Sequence, residues 1–365
     1  MTGQKGTDVD CRKATDEGVN APDQKTGEKR TELRDRCHPK DIAVSINIIT
    51  YNQERYVAQM LESVLSQRTD FDCEILIADD ASDDGTAEVL KDYAGRYPDL
   101  IRLTLRKENV GSTANSYDDF MNSRGKYIAG IEGDDYWLSE DKLQDQLDFL
   151  EENPKYIGFQ GKCRIVDENS EAIDTSRMGR EFWNFCRDEY TLDDFCRWEM
   201  PGQMSALMYR NIYRDKGTDF RCIYRNHHYV GDRTIMMFLA AKGNIYCAPD
   251  IMTAYRYVPK GGSNWMSVYK SRNMRFDDYV LMTKIDRYLR EKLRSPKGLD
   301  YAKKDRVAGA ASVYLGNPTA ENREVLRKII RYDGHSLEKR ILVLRVRLWK
   351  WYCRRILKEE RRFSL

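Results

Sequence analysis

The chain has 365 residues, enough to bury a sizeable core in one large domain with accessory segments or in two domains. It carries 61 Lys and Arg against 59 Asp and Glu, and this formal net charge of +2 excludes an overall positive field that would by itself gather nucleic acid. The nine cysteines are scattered and never spaced C-x-x-C, which favours reduced thiols over a zinc or redox site.

The first forty residues differ in composition from the rest of the chain. They are rich in Lys, Asp, Glu, Thr and Gly and nearly free of aromatic residues, a composition that cannot offset the entropy lost on ordering. Residues 1–40 are therefore predicted to form a disordered polar leader. Because they contain no apolar run, neither a secretory signal nor a membrane anchor can be placed there, and we expect a cytoplasmic protein.

From residue 42 onwards, predicted strands alternate with predicted helices. Runs of apolar and β-branched residues predict buried strands at 43–49, 74–78, 101–105 and 127–131. Segments with helical spacing lie between them at 56–65, 91–97 and 112–121. This alternation predicts a parallel sheet covered by helices on both faces.

The second half of the chain has a different pattern. Ser139 is predicted to cap a helix whose apolar face lies within 143–150. Residues 155–265 mix loops and short strands with one clear helix at 233–242, which predicts an α+β region. The short strands are predicted at 156–160, 245–248 and 254–257. From about residue 268 the pattern is helical, with an interruption at 316–318.

Polar residues follow three of the predicted strands, at the sheet edge where open α/β sheets bind their ligands. These residues are Thr50, Tyr51 and Asn52 after the first strand, the acidic run 79–84 after the second, and 132–135 after the fourth. A pair of Asp residues after a strand is more often a turn or a helix cap than a catalytic site. We expect Ser82, Asp83 and Asp84 to serve in that way.

The acidic cluster at 132–135 is harder to explain by local structure. Three carboxylates close together repel unless protons or a cation neutralise them, and Mg²⁺ or Mn²⁺ suits carboxylate oxygens. The sequence contains no G-x-x-x-x-G-K-[ST] and no G-x-G-x-x-G after the first strand, which argues against P-loop ATPases and NAD dehydrogenases. A diphosphate bound without a glycine cradle needs a metal. Taken alone, the cluster leaves metal-binding and structural roles equally open.

Four segments between residues 44 and 150 resemble, in the family's order, the family 2 glycosyltransferases of GT-A fold that build bacterial cell-surface polysaccharides. The segments are VSINIITYNQERYVAQMLESVLSQ, EILIADDASDDGT, ENVGSTANSYDDF and GKYIAGIEGDDYWLSEDKLQDQLDFL. The resemblance implies an α/β, Rossmann-like nucleotide-sugar-binding domain at 41–267, with a donor-binding half at 41–138 and an acceptor and catalytic half at 139–267. A helical C-terminal region would follow at 268–365.

Position by position, the resemblance implies a donor site and a metal site. Tyr51 and Asp80 would hold the nucleotide base, Asp134 would contact the ribose or the metal, and Asp135 would coordinate the Mn²⁺ or Mg²⁺ that bridges the diphosphate. The full donor set is expected to be Thr50, Tyr51, Asn52, Asp79, Asp80, Asn109, Gly111 and Asp134, and the metal ligands Asp134 and Asp135. The Glu-Gly-Asp-Asp form departs from the commoner Asp-x-Asp, which leaves the role of Glu132 open.

The family also places a catalytic carboxylate at the start of a later helix, often in a Glu-Asp pair. This sequence offers Gly231-Asp232, without the preceding Glu. Asp232 would take the proton from an acceptor hydroxyl in a single displacement that inverts the anomeric configuration. The alternative is that Asp232 only caps the helix at 233–242.

Candidate acceptor contacts come from three segments. The run Pro201–Ser205 matches a stretch that lies near the acceptor in the family, and 256–265 resembles a loop that folds over donor and acceptor. Aromatic rings at Trp137 and Trp265 would suit stacking on a sugar, and both also suit a core position. The acceptor set is thus Trp137, Met204, Ser205 and Trp265.

Two further patterns are excluded as functional signals. Processive polysaccharide synthases related to this family carry Gln-x-x-Arg-Trp after the base and several membrane spans. Here Arg197-Trp198 lacks the Gln and precedes Asp232, so a single-addition enzyme is preferred. The pair His227-His228 is not expected to bind metal, because adjacent histidines do not easily face one ion.

The C-terminal segment 336–363 predicts a basic amphipathic helix. Leu342, Val346, Trp349 and Cys353 recur at helical spacing, and the segment contains ten Lys and Arg against three Asp and Glu. Such a helix would lie on an anionic membrane surface near a lipid-linked acceptor, or pack on the body of the protein or on a second subunit. The sequence leaves these alternatives open.

The sequence therefore predicts a hexosyltransferase-type enzyme that moves a sugar from a nucleotide-sugar donor, UDP-linked by family frequency, to a saccharide or a lipid-linked saccharide. No nucleic acid partner is expected, a homo-oligomer is open, and the location would be cytoplasmic or peripheral on the inner face of the cell membrane. The alternatives are a non-catalytic carbohydrate-binding or nucleotide-sugar-binding protein and a sugar nucleotidyltransferase. The latter carries a Gly-rich loop after the first strand, which 50–56 does not resemble.

Overall fold

The computed structural model describes residues 30–35, 40–174, 187–258 and 273–357. The strands in these ranges are β1 Thr31–Glu32, β2 Ile42–Thr50, β3 Arg68–Thr69, β4 Asp72–Asp79, β5 Ile101–Leu105, β6 Tyr127–Glu132, β7 Tyr136–Trp137, β8 Tyr156–Val166, β9 Glu189–Tyr190, β10 Leu207–Arg210 and β11 Asn244–Arg256. The helices are α1 Glu54–Leu65, α2 Thr86–Arg96, α3 Ser112–Asn122, α4 Lys142–Glu152, α5 Leu192–Cys196, α6 Cys222–Asn226, α7 Asp232–Lys242, α8 Arg275–Glu291, α9 Asp300–Gly316, α10 Ala320–Arg331 and α11 Ser336–Tyr352.

The first half of the chain forms the parallel part of a mixed sheet. In the described residues the sheet order is β5-β4-β2-β6-β10-β8-β11-β7, with β9 paired to β11. Strand β2 pairs in parallel with β4 and β6, and β4 pairs in parallel with β5. Apolar side chains of β2 and α1, including Ile46, Ile48, Val57 and Leu61, are fully buried in one core. The predicted α/β fold is confirmed, and the carboxyl ends of β2, β4 and β6 lie side by side.

The second half adds antiparallel strands and differs from the predicted pattern. Strand β10 runs antiparallel between β6 and β8, and β11 runs parallel to β8. The separate strands predicted at 245–248 and 254–257 are one strand, β11, whose register with β8 shifts between Cys247 and Ile251. The prediction was wrong there because Pro249 and Asp250 interrupt the apolar run without ending the strand.

Helix α4 begins later than predicted, at Lys142 after Asp141, so Ser139 is not its N-cap. The carboxamide of Gln67 takes that role from a distant loop. Its Oε1 accepts the Leu143 N–H at 3.1 Å and its Nε2 donates to the Ser139 carbonyl at 2.6 Å. A cap supplied from elsewhere in the chain leaves no local signal at the helix start.

Residues 30–35 are ordered, although they fall in the predicted disordered leader. Thr31 and Glu32 pair with β3, Leu33 is fully buried, and Arg34 forms an ion pair with Glu62 at 3.0 Å. One buried leucine and this pairing anchor the segment against the domain. Residues 1–29 and 36–39 lie outside the described ranges.

The C-terminal helices divide between two cores. Helix α8 packs on the acceptor half, where its Met282 and Ile285 share a cluster with Met236 of α7. Helices α9, α10 and α11 surround a separate cluster that contains Leu342 and Val346. The apolar face predicted for the last helix therefore packs on the body of the protein. Among the described residues, no helix combines the length and the apolar character needed to cross a membrane.

Asp119 of α3 is a buried carboxyl with an unusual environment. It is 6% exposed, and its Oδ2 has no hydrogen-bond partner among the described residues. Burial, opposed by the charge of Arg106, raises the pKa of Asp119 to about 7. The folded state thus keeps a proton that the unfolded chain releases near pH ~4, so the associated stability is present below that pH and is lost as pH rises through about 7.

We expect Asp119→Asn to reduce the decrease in the free energy of unfolding that the wild type shows as pH rises. Asn stays neutral, so the variant should exceed the wild type above neutral pH by up to roughly 4 kcal/mol in the free energy of unfolding. Urea unfolding at about pH 5 and about pH 8 measures the slope. Asp92→Asn, an exposed change on α2, should keep the wild-type slope. An Asp119→Asn slope equal to the wild type would show that Asp119 is ionised in the folded protein.

Candidate donor and catalytic site

The ends of β2 and β4 are joined by the carboxylate of Asp79. Asp79 is buried and accepts hydrogen bonds from Thr50 Oγ1 at 2.7 Å, Ser82 Oγ at 2.6 Å and the Ser82 N–H at 3.0 Å. These bonds fix the loop after β4 against the end of β2. Thr50 and Asp79 therefore shape the predicted donor site by holding the loop after β4 in place. Their side-chain oxygens are used in hydrogen bonds within the protein.

Asp80 connects the same edge to the loop before α3. Its Oδ1 accepts the Val110 N–H at 2.8 Å and its Oδ2 accepts the Gly111 N–H at 2.9 Å. Asn109, just before this pair, is exposed. The fold thus brings Asp79, Asp80, Asn109 and Gly111 together, as the donor-site prediction requires, although their contact with a nucleotide stays a prediction.

Tyr51 and Asn52 form the rim of this edge. Asn52 adopts the left-handed region with φ 53°, and its N–H donates to Ser82 Oγ at 2.9 Å. Its Oδ1 accepts the Asp83 N–H at 2.9 Å, and Tyr51 is 38% exposed. A solvent-facing aromatic ring beside an anchored loop suits stacking against a planar base.

Asp84 acts as a cap, as its place in the sequence predicted. Its carboxylate accepts the N–H of Glu54 at 3.1 Å and the N–H of Thr86 at 3.0 Å, which lie at the starts of α1 and α2. Burial acts to raise the pKa of Asp84, but the bonds from Thr86 and Glu54 outweigh it and the pKa is lowered. The side chain of Asp84 is therefore structural.

The acidic loop after β6 turns tightly over the end of β2. The Gly133 N–H donates to the Ile49 carbonyl at 3.0 Å and the Asp135 N–H to the Glu132 carbonyl at 3.1 Å. Asp134 and Asp135 are 6% and 4% exposed, whereas solvent reaches Glu132. Burial raises the pKa of Asp134 to about 6, and burial with the charges of Asp134 and Glu132 raises that of Asp135 well above its usual range. The loop thus places two adjacent buried carboxyl groups at the sheet edge, where their ionised forms need a compensating positive charge.

Arg256, at the end of β11, holds this loop in place. Its backbone N–H donates to Asp135 Oδ1 at 3.0 Å and its Nε to the Asp134 carbonyl at 2.9 Å. The guanidinium is 1% exposed, lies over the ring of Tyr56 at 4.3 Å and donates to Gln59 Oε1 at 2.8 Å. Arg256 thus ties the acidic loop to α1. Sequence analysis missed this role, since Arg256 was named only as part of a loop over the substrates.

Two of the proposed acceptor residues lie beneath the acidic loop. Trp137 is 4% exposed, its Nε1 donates to the Ser205 carbonyl at 3.1 Å, and Lys142 Nζ lies 4.3 Å from its ring centroid. Ser205 is also buried, and its Oγ lies 3.5 Å from Thr253 Oγ1. This arrangement favours the core interpretation of Trp137 and places Ser205 in the same buried layer. Met204 is half-buried, and Trp265 lies outside the described residues.

Asp232 is the first residue of α7, and Gly231 occupies the N-cap position. Asp232 therefore does not occupy the N-cap position itself, but its carboxylate accepts a first-turn amide, so its roles as a base and as a helix-capping side chain both stay predictions. The side chain accepts the Arg233 N–H at 2.7 Å through Oδ1, and it lies close enough to Glu132 for the two charges to interact. The fold thus brings Asp232 near the acidic loop from about a hundred residues further along the chain.

The loop 227–230 packs on the start of α3, a contact that the sequence did not predict. Thr113 Oγ1 donates to the His227 and His228 carbonyls, each at 2.8 Å. His227 Nδ1 accepts the N–H groups of Tyr229 and Val230 at 3.0 Å, so the side chain of His227 stabilises a turn.

Among the described residues, no group of three or more His, Cys, Asp or Glu side chains is placed to hold a metal ion. A metal would thus depend on two carboxylates plus donor phosphates.

Gly111 marks where the two halves of the site meet. It has φ +86°, and a Cβ added there would lie 2.5 Å from His228 Cε1. We expect Gly111→Ala to lower the free energy of unfolding by about 1–3 kcal/mol through backbone strain and this clash. Chemical denaturation measures the change. Gly309→Ala is the control, because nothing lies within 4 Å of its Cβ and alanine should stabilise that helix. Equal effects of the two changes would contradict the clash.

A family model for glycosyl transferase family 2 matches residues 45–216. The chain carries a glycosyl transferase family 2 domain. An uncharacterised protein of Mycobacterium tuberculosis is 46% identical over 238 residues, 63% of this chain and 62% of that protein. The putative teichuronic acid biosynthesis glycosyltransferase TuaG of Bacillus subtilis is 32% identical over 127 residues, 35% of this chain and 49% of that protein. The chain thus matches these relatives over less than two thirds of their own length.

The fold has a counterpart among solved structures. The crystal structure of S. aureus TarS 1-349 in complex with UDP-GlcNAc has a TM-score of 0.59 and 15% identity, covering 88% of this chain and 94% of that chain. At this identity the likeness shows the fold, which is GT-A. The family 2 segment contains the donor residues and the acidic loop, whereas Asp232 and Arg256 lie beyond it.

Proposed function

We propose that the chain transfers a sugar from a nucleotide-sugar donor, UDP-linked by default, to a hydroxyl of a saccharide or lipid-linked saccharide in cell-surface glycan synthesis. The observation that carries the proposal is the convergence, at one edge of a family 2 domain, of Asp80 with its loop, the buried Asp134 and Asp135, and Asp232. The names of TuaG and of the UDP-GlcNAc complex of TarS support the donor class and the pathway type.

The donor lies across the ends of β2 and β4 in this proposal. The exposed ring of Tyr51 stacks on the base, and Asn52 and Asn109 offer amide groups at the rim. Asp80 acts by holding the backbone at 110–111 in place, since both of its oxygens already accept amide hydrogens. The diphosphate then points towards the acidic loop.

Asp134 and Asp135 fit a divalent cation by the chemistry of their donor atoms. They are adjacent carboxylates, and Mg²⁺ sites commonly use one or two carboxylates with substrate phosphates. The backbone N–H of Arg256 orients Asp135 through a hydrogen bond to its side chain. When bound, Mn²⁺ or Mg²⁺ would supply positive charge to the leaving diphosphate.

Asp232 is the proposed general base. Its Oδ1 is held by the Arg233 N–H, and its Oδ2 makes no hydrogen bond to a described residue. Oδ2 takes the proton of the acceptor hydroxyl as the acceptor oxygen bonds to the anomeric carbon. The bond from that carbon to the diphosphate oxygen breaks, and its electron pair leaves with the nucleoside diphosphate. A single displacement of this kind inverts the anomeric configuration.

The acceptor side of the proposal rests on fewer residues. Met204 is half-buried beside the acidic loop, and Trp265 is kept as a stacking residue from the sequence resemblance. The proposed location is cytoplasmic and peripheral to the inner face of the cell membrane, where a lipid-linked acceptor is accessible.

Thermal unfolding of the full chain with UDP-, GDP- and dTDP-sugars, with and without Mn²⁺, tests the proposal. We expect one donor class to raise the melting temperature only when Mn²⁺ is present, and that donor to be consumed with release of the nucleoside diphosphate. Stabilisation without consumption in the presence of candidate acceptors would favour a nucleotide-sugar-binding protein. No stabilisation by any donor would overturn the proposal.

A further inference from the structure

Helix α11 presents a second apolar face that the fold leaves exposed. Its members recur at spacings of four and three residues, so they share one side of the helix, and each is between 40% and 71% exposed. They are Leu337, Ile341, Leu344, Leu348, Trp351 and Tyr352, which we call the outer stripe. Six of the thirteen exposed large apolar residues among the described positions lie in this one stripe, and a contiguous patch of this kind marks an interaction surface.

The outer stripe differs from the face that the sequence singled out. Leu342, Val346 and Cys353 point the other way and are buried, the first two against α9 and α10. The helix therefore satisfies its packing with one face and keeps the outer stripe free of the described body of the protein. Stability of the fold does not explain six large apolar side chains in solvent.

Basic residues border the outer stripe on both sides. At 100° per residue, Arg340 and Arg347 fall along one edge and Arg345 along the other. Arg340 and Arg347 are exposed and form no ion pair within the described part of the chain. Residues 336–357 contain seven Lys and Arg and one acidic residue, Glu338, a net charge of +6. The surface is thus apolar along its centre and positive at its margins.

The basic margins of the outer stripe favour an anionic bilayer over a second copy of the chain as its binding partner. A second copy of the chain, seated face to face on the outer stripe, would bring basic margins against basic margins in either orientation, which is unfavourable. An anionic bilayer accepts the apolar side chains at the boundary of its acyl region and places lipid phosphates against the arginines. Trp351 and Tyr352 suit that boundary, because their rings are apolar and carry one polar group.

We propose that α11 lies along the surface of an anionic phospholipid bilayer with its outer stripe inserted. The proposed function supplies the reason for this location, a lipid-linked acceptor, but lipid binding itself does not require transfer. The buried face of α11 fixes the helix to the body, so the catalytic domain is held at the membrane by a rigid element.

Co-sedimentation of the full chain with vesicles tests the inference. Vesicles of phosphatidylglycerol mixed with phosphatidylcholine should bind the wild type, and pure phosphatidylcholine should bind it far less. Arg340→Gln with Arg347→Gln should weaken the partition coefficient about twenty-five-fold, and Leu344→Ser with Leu348→Ser at least about tenfold. Met121→Ser, 43% exposed on α3, and the pair Lys91→Gln with Lys155→Gln are matched controls that should bind as the wild type does.

Equal binding to both vesicle types, or wild-type binding by the Leu344 and Leu348 variant, would overturn the inference. A dimer that dissociates in that variant, with no vesicle binding by the wild type, would assign the stripe to a second copy instead. Donor-induced stabilisation is measured in the same variants and should be unchanged. Vesicle binding without any donor binding would therefore contradict the proposed function but not the membrane inference. Donor binding without vesicle binding would contradict the membrane inference but not the proposed function.

Discussion

An Asp232→Asn substitution is expected to lower the rate of sugar transfer by about two to four orders of magnitude, while the donor still raises the melting temperature in the presence of Mn²⁺. Asparagine keeps the size of the side chain and an oxygen that can accept the Arg233 N–H. It cannot take the proton of the acceptor hydroxyl. Release of the nucleoside diphosphate measures the rate, and the donor-induced shift in melting temperature measures binding.

Asp300→Asn is the matched control for this experiment. Asp300 is also the first residue of a helix, α9, and its side chain is 65% exposed and pairs with Arg290 rather than with the acidic loop. A general loss of helix stability would appear in both variants, whereas loss of a base would appear only at Asp232. Transfer by Asp232→Asn within threefold of the wild type would leave that residue without a role in proton transfer.

The second large effect is expected at Asp135. Asp135→Asn should remove the Mn²⁺-dependent part of the donor-induced stabilisation and lower the transfer rate by roughly two to three orders of magnitude. Without metal, the variant should unfold at a temperature no lower than the wild type. The reason is that a neutral carboxamide removes the repulsion from neighbouring carboxylates at Asp135, whose pKa is raised by burial first and then by the charges of Asp134 and Glu132.

Asp83→Asn provides the control for Asp135. Asp83 belongs to the other acidic run at the same sheet edge, but it is exposed. Its neutralisation changes the net charge by the same amount and should leave metal-dependent donor binding intact. If Asp135→Asn kept the full Mn²⁺ dependence, the cation would not be held by this loop, and the acidic run 79–84 would be the next place to search.

The parts of the fold that could be predicted are those specified by neighbouring residues. The strands β2, β4 and β6 follow from continuous β-branched and apolar runs, and such runs are long enough to favour burial on both faces. Asp84 was expected to cap because a short acidic side chain before a helix finds free amide hydrogens within a few residues. Parallel strands then place their carboxyl ends at one edge, which is why the acidic runs could be predicted to meet.

The parts that could not be predicted depend on contacts between distant residues. The cap of α4 comes from Gln67, 76 residues before the amide that it accepts. Arg256 holds Asp135 across 121 residues, and the loop at 229 meets Ser112 across 117. No local pattern records such pairs. The burial of Leu33 likewise rests on where β3 and α1 lie, so the composition of the first forty residues gave no sign of it.

Residue type and short-range spacing were enough to predict the alternation of strands and helices in the first half of the chain, the acidic chemistry after two of those strands and the basic character of the last helix. The burial of Trp137, the support that Arg256 gives to the acidic loop, and the choice of which apolar face α11 buries could be read only from the folded chain. Those outcomes depend on which surfaces meet. Burial and long-range hydrogen bonds are set by the packing of whole elements, and a helix with two apolar faces can bury only one of them against a single neighbouring layer.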